Sequence, residues 1–152
     1  RLRLRSVAAT VALPGRDCPV SHSAFAFEVA GSLDVDLEPT VVAADAVHES
    51  AVHADIEDAG QLRLRERVQI GRAGEDRGRW SGSLRIDVKG EPLLRHRVEL
   101  GPGSPGHDAL AAPRAYVSEL HCPTRVSAGP GTVLELAGGG VLATWQGDRL
   151  PA

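Results

Sequence analysis

The 152-residue sequence predicts an all-β chain: short strands stacked as a sandwich, barrel or solenoid, with little helix. Three observations predict it. Apolar and polar residues alternate with period two in segment after segment. Turn-forming pairs separate those segments at roughly 8–12-residue spacing. The one stretch with helical character, Asp108–Ala112, runs into Pro113, which ends helices.

In chain order, Leu2–Val7 alternates basic and apolar residues, which reads as a strand and not as a signal peptide. Alternation resumes at Ala24–Val29, Leu33–Leu37, Val52–Ile56, Leu62–Ile70, Leu84–Val88 and Leu94–Leu100. Between these lie Pro14-Gly15, Gly31-Ser32, Ala59-Gly60, the glycine-bounded 71–78 stretch, Lys89-Gly90 and the Gly/Pro run from Gly101 to Gly106. Strands return at Ala115–Leu120, Thr132–Leu136 and Val141–Trp145. Five aromatics in all leave the core to Leu, Val, Ile and Ala. No linker interrupts the pattern, so residues 1–152 read as one domain, long enough to bury a sizeable core. No apolar run approaches the roughly 20 residues needed to span a bilayer. The absence of any Met reads as a fragment or processed product, and sixteen arginines beside Lys89 reflect a GC-rich, bacterial coding bias.

Charge is segregated along the chain. No Lys or Arg occurs between Arg16 and Arg63, a stretch holding ten of the twenty acidic residues. The following stretch, Arg63 to Arg97, is rich in arginine. Two arrangements satisfy this pattern: an acidic face that attracts cations or a basic partner, or acidic strands lying beside basic ones in cross-strand ion pairs. Nucleic-acid binding is disfavoured, because the basic stretch lacks interleaved aromatics and is balanced by acid.

Two strands carry a polar residue on the face that should be apolar. Glu66 shares a face with Leu62, Leu64, Val68 and Ile70, while Arg63, Arg65 and Arg67 face the other way. His96 shares a face with Leu94, Val98 and Leu100. A carboxylate facing inward costs several kcal/mol unless it is paired or wetted. Glu66 and His96 therefore either line a polar passage or are satisfied core residues.

Further candidate metal ligands are Cys18, His22 and His53. Cys18-Pro19 and Cys122-Pro123 lie 104 positions apart, with His22 and His121 nearby, and on a strand His53 shares a face with Asp55 and Glu49. Such a Cys/His or imidazole/carboxylate set suits a borderline divalent ion. No CxxC or HxxxH spacing preorganises one, and small buried cysteines or a solvated face explain the same residues. No nucleophile elbow, phosphate-binding loop or dinucleotide fingerprint is present, so no catalytic residue is picked out.

Several segments resemble urease accessory proteins of the UreD/UreH family, of actinobacterial type. Arg3-Leu4-Arg5-Ser6-Val7-Ala8-Ala9-Thr10 looks like a strand of that family. Leu37-Glu38-Pro39-Thr40-Val41-Val42 is similar to its Pro-Gln-Glu-Thr-Ile segment. Leu64 to Glu75 resembles its acidic-residue strand with a Leu-Gly-Arg turn, and Gly78–Ile86, Gly90–Leu94 and Leu100–Asp108 follow in the family's order. The likeness is good from Arg1 to about Asp108 and thin afterwards. It implies a β-helix-like solenoid sandwich of stacked antiparallel strands, forming the C-terminal majority of a UreD-like protein whose N-terminal strands are missing here. It implies a non-enzymatic cytoplasmic chaperone that helps deliver nickel to apo-urease. Its partners would be apo-urease, a UreF-like protein and a UreG-like GTPase, with no nucleic acid or membrane. Nickel would be in transit, with no tightly bound cofactor. Glu38 and Glu66 fall on acidic positions of the family pattern, so Glu66, Glu38 and His96 are the nickel-path candidates. Partner docking is expected on the tail around Val133–Trp145, with Trp145 as anchor. In the reducing cytoplasm Cys18 and Cys122 would stay unbridged. The alternative reading is a metal-binding or secreted β-sandwich module unrelated to urease.

Overall fold

A computed structural model describes residues 1–107, 109, 111–124 and 131–152. The described chain is all β, as the alternation requires. Its strands are β1 (Leu2–Leu4), β2 (Thr10–Ala12), β3 (Val20–Val29), β4 (Ser32–Asp36), β5 (Thr40–Val42) and β6 (Val47–Ile56). The series continues with β7 (Gln61–Ile70), β8 (Arg79–Val88), β9 (Glu91–Leu100), β10 (Ala115–Cys122), β11 (Thr132–Glu135) and β12 (Val141–Gly147). The expected helical turn at 108–112 falls partly outside the described residues, and its described positions 109, 111 and 112 are not helical.

The strands form two facing sheets. One has the order β1-β4-β7-β10-β12-β11, with β2 and β5 continuing beside the far half of β7; the other is β3-β6-β8-β9. The chain passes from one sheet to the other and back, so β1, β4 and β7 stack in parallel, and so do β3, β6 and β8. This is a two-faced solenoid. The antiparallel stacking expected from the sequence is thus corrected for most of the chain. Antiparallel pairing begins only at the β8–β9 hairpin and continues through β10, β12 and β11. Parallel neighbours need a long crossover, and here each crossover is itself a strand of the opposite sheet.

The segregated charges meet on the outer face of the larger sheet. Register places Asp34 beside Arg63 and Asp36 beside Arg65. Arg63 contacts Asp34 at 2.9 Å and Glu119 at 2.9 Å, and Arg67 reaches Asp36 at 3.2 Å. The acidic strands therefore lie beside basic ones, as the second arrangement requires. Burial pushes Asp34 and Glu119 up, but hydrogen bonds from Arg5, Arg63 and His121 overrule it and hold both carboxyls low. Carboxyls held low contribute stability above the ordinary carboxylate range and lose it as pH falls through their folded-state values. Arg63→Ala should cost up to about 2 kcal/mol at pH 7, the two close pairs contributing up to about 1 kcal/mol each. Thermal denaturation of both proteins checks this, and the gap should narrow at pH 3.

The tail divides. Val141, Leu142 and Ala143 of β12 are buried core, so docking expected across Val133–Trp145 is corrected for that half. All of β11 is exposed, including the apolar Val133 and Leu134, at 45% and 46%. Trp145 is half-buried, its ring lying over Gly147.

Candidate functional site

The inner faces of the sheets build two apolar clusters. One gathers Val35, Val52, Leu64, Leu84, Leu120 and Leu142 with their neighbours. The other gathers Val42, Val68, Ile70, Trp80, Leu100 and Tyr116. A polar layer crosses the stack at the level where they meet. On β7, Glu66 stands between Leu64 and Val68; on β6, Ser50 precedes Val52; on β10, Ser118 stands between Tyr116 and Leu120. Period-two alternation places these residues inward together, and register aligns them, Ser23 with Ser50 in one sheet and Glu66 with Ser118 and Thr144 in the other.

Glu66 faces inward, and the Ser50 hydroxyl donates to its Oε1 across the gap between sheets, at 3.0 Å. Among the described residues no arginine pairs with it, and Arg63, Arg65 and Arg67 are engaged on the outer face. Burial pushes its carboxyl up to about 7, and the Ser50 bond offsets only part of that rise. A carboxylate with one neutral partner in such a place is the costly arrangement, not the sealed ion pair that a purely structural glutamate would make.

A cavity of about 330 Å³ opens onto Glu66. Its wall is largely apolar, with Phe25, Phe27, Leu37 and Val52, and Ser23, Ser50 and Glu38 add polar groups, as do Arg5, Arg65 and Arg67. Glu38 is exposed at the break between β4 and β5, where its backbone N–H donates to Ser6 Oγ at 2.8 Å. The cavity thus brings two of the three expected passage residues together. His96 lies elsewhere in the layer, facing inward, with Nε2 3.0 Å from the Tyr116 hydroxyl. Tyr116 is also hydrogen-bonded by Ser118, and burial raises its pKa and lowers that of His96. His48, missed in the sequence, is buried with Nδ1 2.8 Å from Ser21 Oγ and Nε2 3.2 Å from Ser23 Oγ. Its neighbouring hydroxyls at alternate positions of β3 were the available signal, but small hydroxyls are as common on an outer face.

No family model matches the chain. Individual proteins do. The urease accessory protein UreD of Frankia alni is 44% identical over 124 residues, covering 70% of this chain and 42% of its own length. UreD of Frankia casuarinae is 37% identical over 145 residues, covering 88% of this chain and 44% of its own. UreD 1 of Saccharopolyspora erythraea is 34% identical over 154 residues, covering 94% and 60%. The chain belongs to the UreD family of urease accessory proteins. It spans about half the length of the curated relatives it matches.

The remaining candidate ligands of this UreD-family chain do not converge. Cys18 is exposed ahead of β3, whereas Cys122 is buried at the end of β10 among Leu62, Leu120 and Leu142; both are free. Burial pushes the Cys122 thiol up, which suits a small core residue. His22 pairs with Glu49 on the outer face of the smaller sheet. Glu49 lies four residues before His53 on β6, about 13 Å along the strand, so the carboxylate neighbours of His53 are Asp55 and Asp87. Of the sets expected from the sequence, His53 and Asp55 stay together, but strand register supplies Asp87, not Glu49, as the other carboxylate neighbour of His53.

Proposed function

We propose that this chain is part of an accessory protein that matures urease, acting as a non-enzymatic scaffold whose wet interior passes nickel toward the apo-enzyme. The observation that carries this reading is the unpaired Glu66–Ser50 contact inside an otherwise apolar stack, opening onto the cavity that Glu38 also lines. Nickel in transit needs weak, spaced oxygen and nitrogen ligands that bind and release, not a tight cage. Glu66, the Tyr116–His96 pair and His48 with its two serines supply such groups along one layer. The buried Trp80 indole N–H, which has no hydrogen-bond partner among the described residues, adds to the case for a wet interior.

The names of the relatives support the urease setting. Apo-urease, a UreF-like protein and a UreG-like GTPase are the partners of this reading, in a reducing cytoplasm. Among the described residues no helix is long and apolar enough to cross a membrane.

The test uses the full-length protein. Urease subunits are expressed with and without it at fixed nickel supply, then assayed for co-purification of the protein and for bound nickel by atomic absorption. The expected result is co-purification with apo-urease and a several-fold rise in its nickel content. Equal nickel content with and without the protein would overturn the reading.

A further inference from the structure

We propose that His53, Asp55 and Asp87 form a site for a first-row divalent cation on the outer face of the smaller sheet, separate from the interior layer. The inference goes beyond the urease reading and stands without it.

Nε2 of His53 lies 3.6 Å from Asp55 Oδ2 and 3.0 Å from Asp87 Oδ2, and one ligand atom from each residue lies within 4.8 Å of the other two. Strands β6 and β8 position all three. Register sets Asp55 directly beside Asp87, and alternation brings His53 to the same face two residues before Asp55. These are central strands of their sheet, and the ladder between them is unbroken past all three residues, which favours a preformed site.

Two independent features point to a cation here. The first is register. On the larger sheet each aspartate of β4 faces an arginine of β7, Asp34 with Arg63 and Asp36 with Arg65. In the smaller sheet Glu28, Asp55 and Asp87 form an unbroken row of three carboxylates across β3, β6 and β8. Like charges directly opposite are destabilising, and a cation bound at the row would relieve that repulsion. The second is the way Asp87 is held. Its carboxylate is mostly buried, and Arg95 binds Oδ1, leaving Oδ2 turned toward His53. Hydrogen bonding of a ligating carboxylate through its other oxygen is how metal sites fix their ligands. Arg95 also limits Asp87 to one donor atom, and Arg85, beside His53 in register, lowers the local negative charge. One imidazole and two single-oxygen carboxylates leave positions for water, an open set that suits Ni²⁺, Co²⁺ or Zn²⁺ better than Ca²⁺.

The test is equilibrium dialysis of the full-length protein against Ni²⁺, comparing wild type with His53→Ala, Asp55→Asn and, as a control away from both sites, Asp45→Asn. All three positions are partly or fully exposed, so these variants should keep the wild-type circular dichroism. The expected result is a Ni²⁺ site that weakens at least about tenfold in His53→Ala and in Asp55→Asn, since even indirect partners of a metal are worth that much, and is kept in Asp45→Asn. Wild type binding no Ni²⁺, unchanged affinity in either His53→Ala or Asp55→Asn, or an equal loss in Asp45→Asn would each overturn it. The readout is binding alone, so failure here and failure of urease maturation are separate results.

Discussion

Glu66→Gln should make the folded protein more stable above neutral pH while impairing delivery of nickel to urease. The sign follows from burial. The Glu66 carboxyl sits near 7 when folded, against an ordinary value of 4.5. Between those values the folded state keeps a proton that the unfolded chain releases, so stability falls as pH rises through the window and levels off above it. At 1.36 kcal/mol per pH unit the loss approaches roughly 3 kcal/mol, an upper bound because the side chain still borders the cavity. Glutamine does not titrate, and its side-chain oxygen can still accept from Ser50. Its advantage should be absent at pH 4 and greatest at pH 8, where a Tm rise of up to about 6–12 °C is expected for a chain of this size. Thermal denaturation across that pH range is the first readout. The second is the nickel content of urease matured by the variant, expected to fall several-fold with co-purification intact. A pH-independent Tm difference together with normal nickel loading would make Glu66 an ordinary core residue.

Much of this was legible in the sequence, for identifiable reasons. Alternation around Leu64-Arg65-Glu66-Arg67-Val68 dictates which side chains share a face, so the inward Glu66 and outward arginines follow from sequence alone. Alternation is silent on strand direction, which is why parallel stacking was not visible. The three-residue strands β2 and β5 are too short to show a period. The rest of the polar layer was hidden for another reason. Ser23, Ser50 and Ser118 are small residues that suit either face, and only register across the sheets shows that they lie level with Glu66. Likewise Asp55 and Asp87, 32 positions apart, become neighbours only through the parallel pairing of β6 with β8.

Gly82→Val is expected to have the largest effect on stability, because it strikes the junction between the polar layer and the second apolar cluster. Gly82 follows Trp80 by two positions on the inner face of β8, and the indole ring lies directly over it. A Cβ at this position would sit 2.1 Å from the Trp80 ring, closer than any packed pair of carbons. The ring has nowhere to go. It is 1% exposed, packs within the cluster of Val42, Val68, Ile70 and Leu100, and lies tilted against Tyr116 with centroids 5.5 Å apart. Valine must therefore expel the indole or part β8 from β6. Expulsion forfeits what truncating a buried tryptophan does, about 3–5 kcal/mol. Displacing the indole also removes the support that positions Tyr116 and, through it, His96. Urea denaturation should show the midpoint falling steeply, and near-ultraviolet circular dichroism should show altered aromatic signals even where the variant remains folded. Ser83→Val, one residue along and on the outer face, is the matched control. It adds the same β-branched side chain to the same strand and should cost well under 1 kcal/mol, as surface changes usually do. Equal stability of the two variants would show that the Trp80 ring is free to move, and with it the Tyr116–His96 pair.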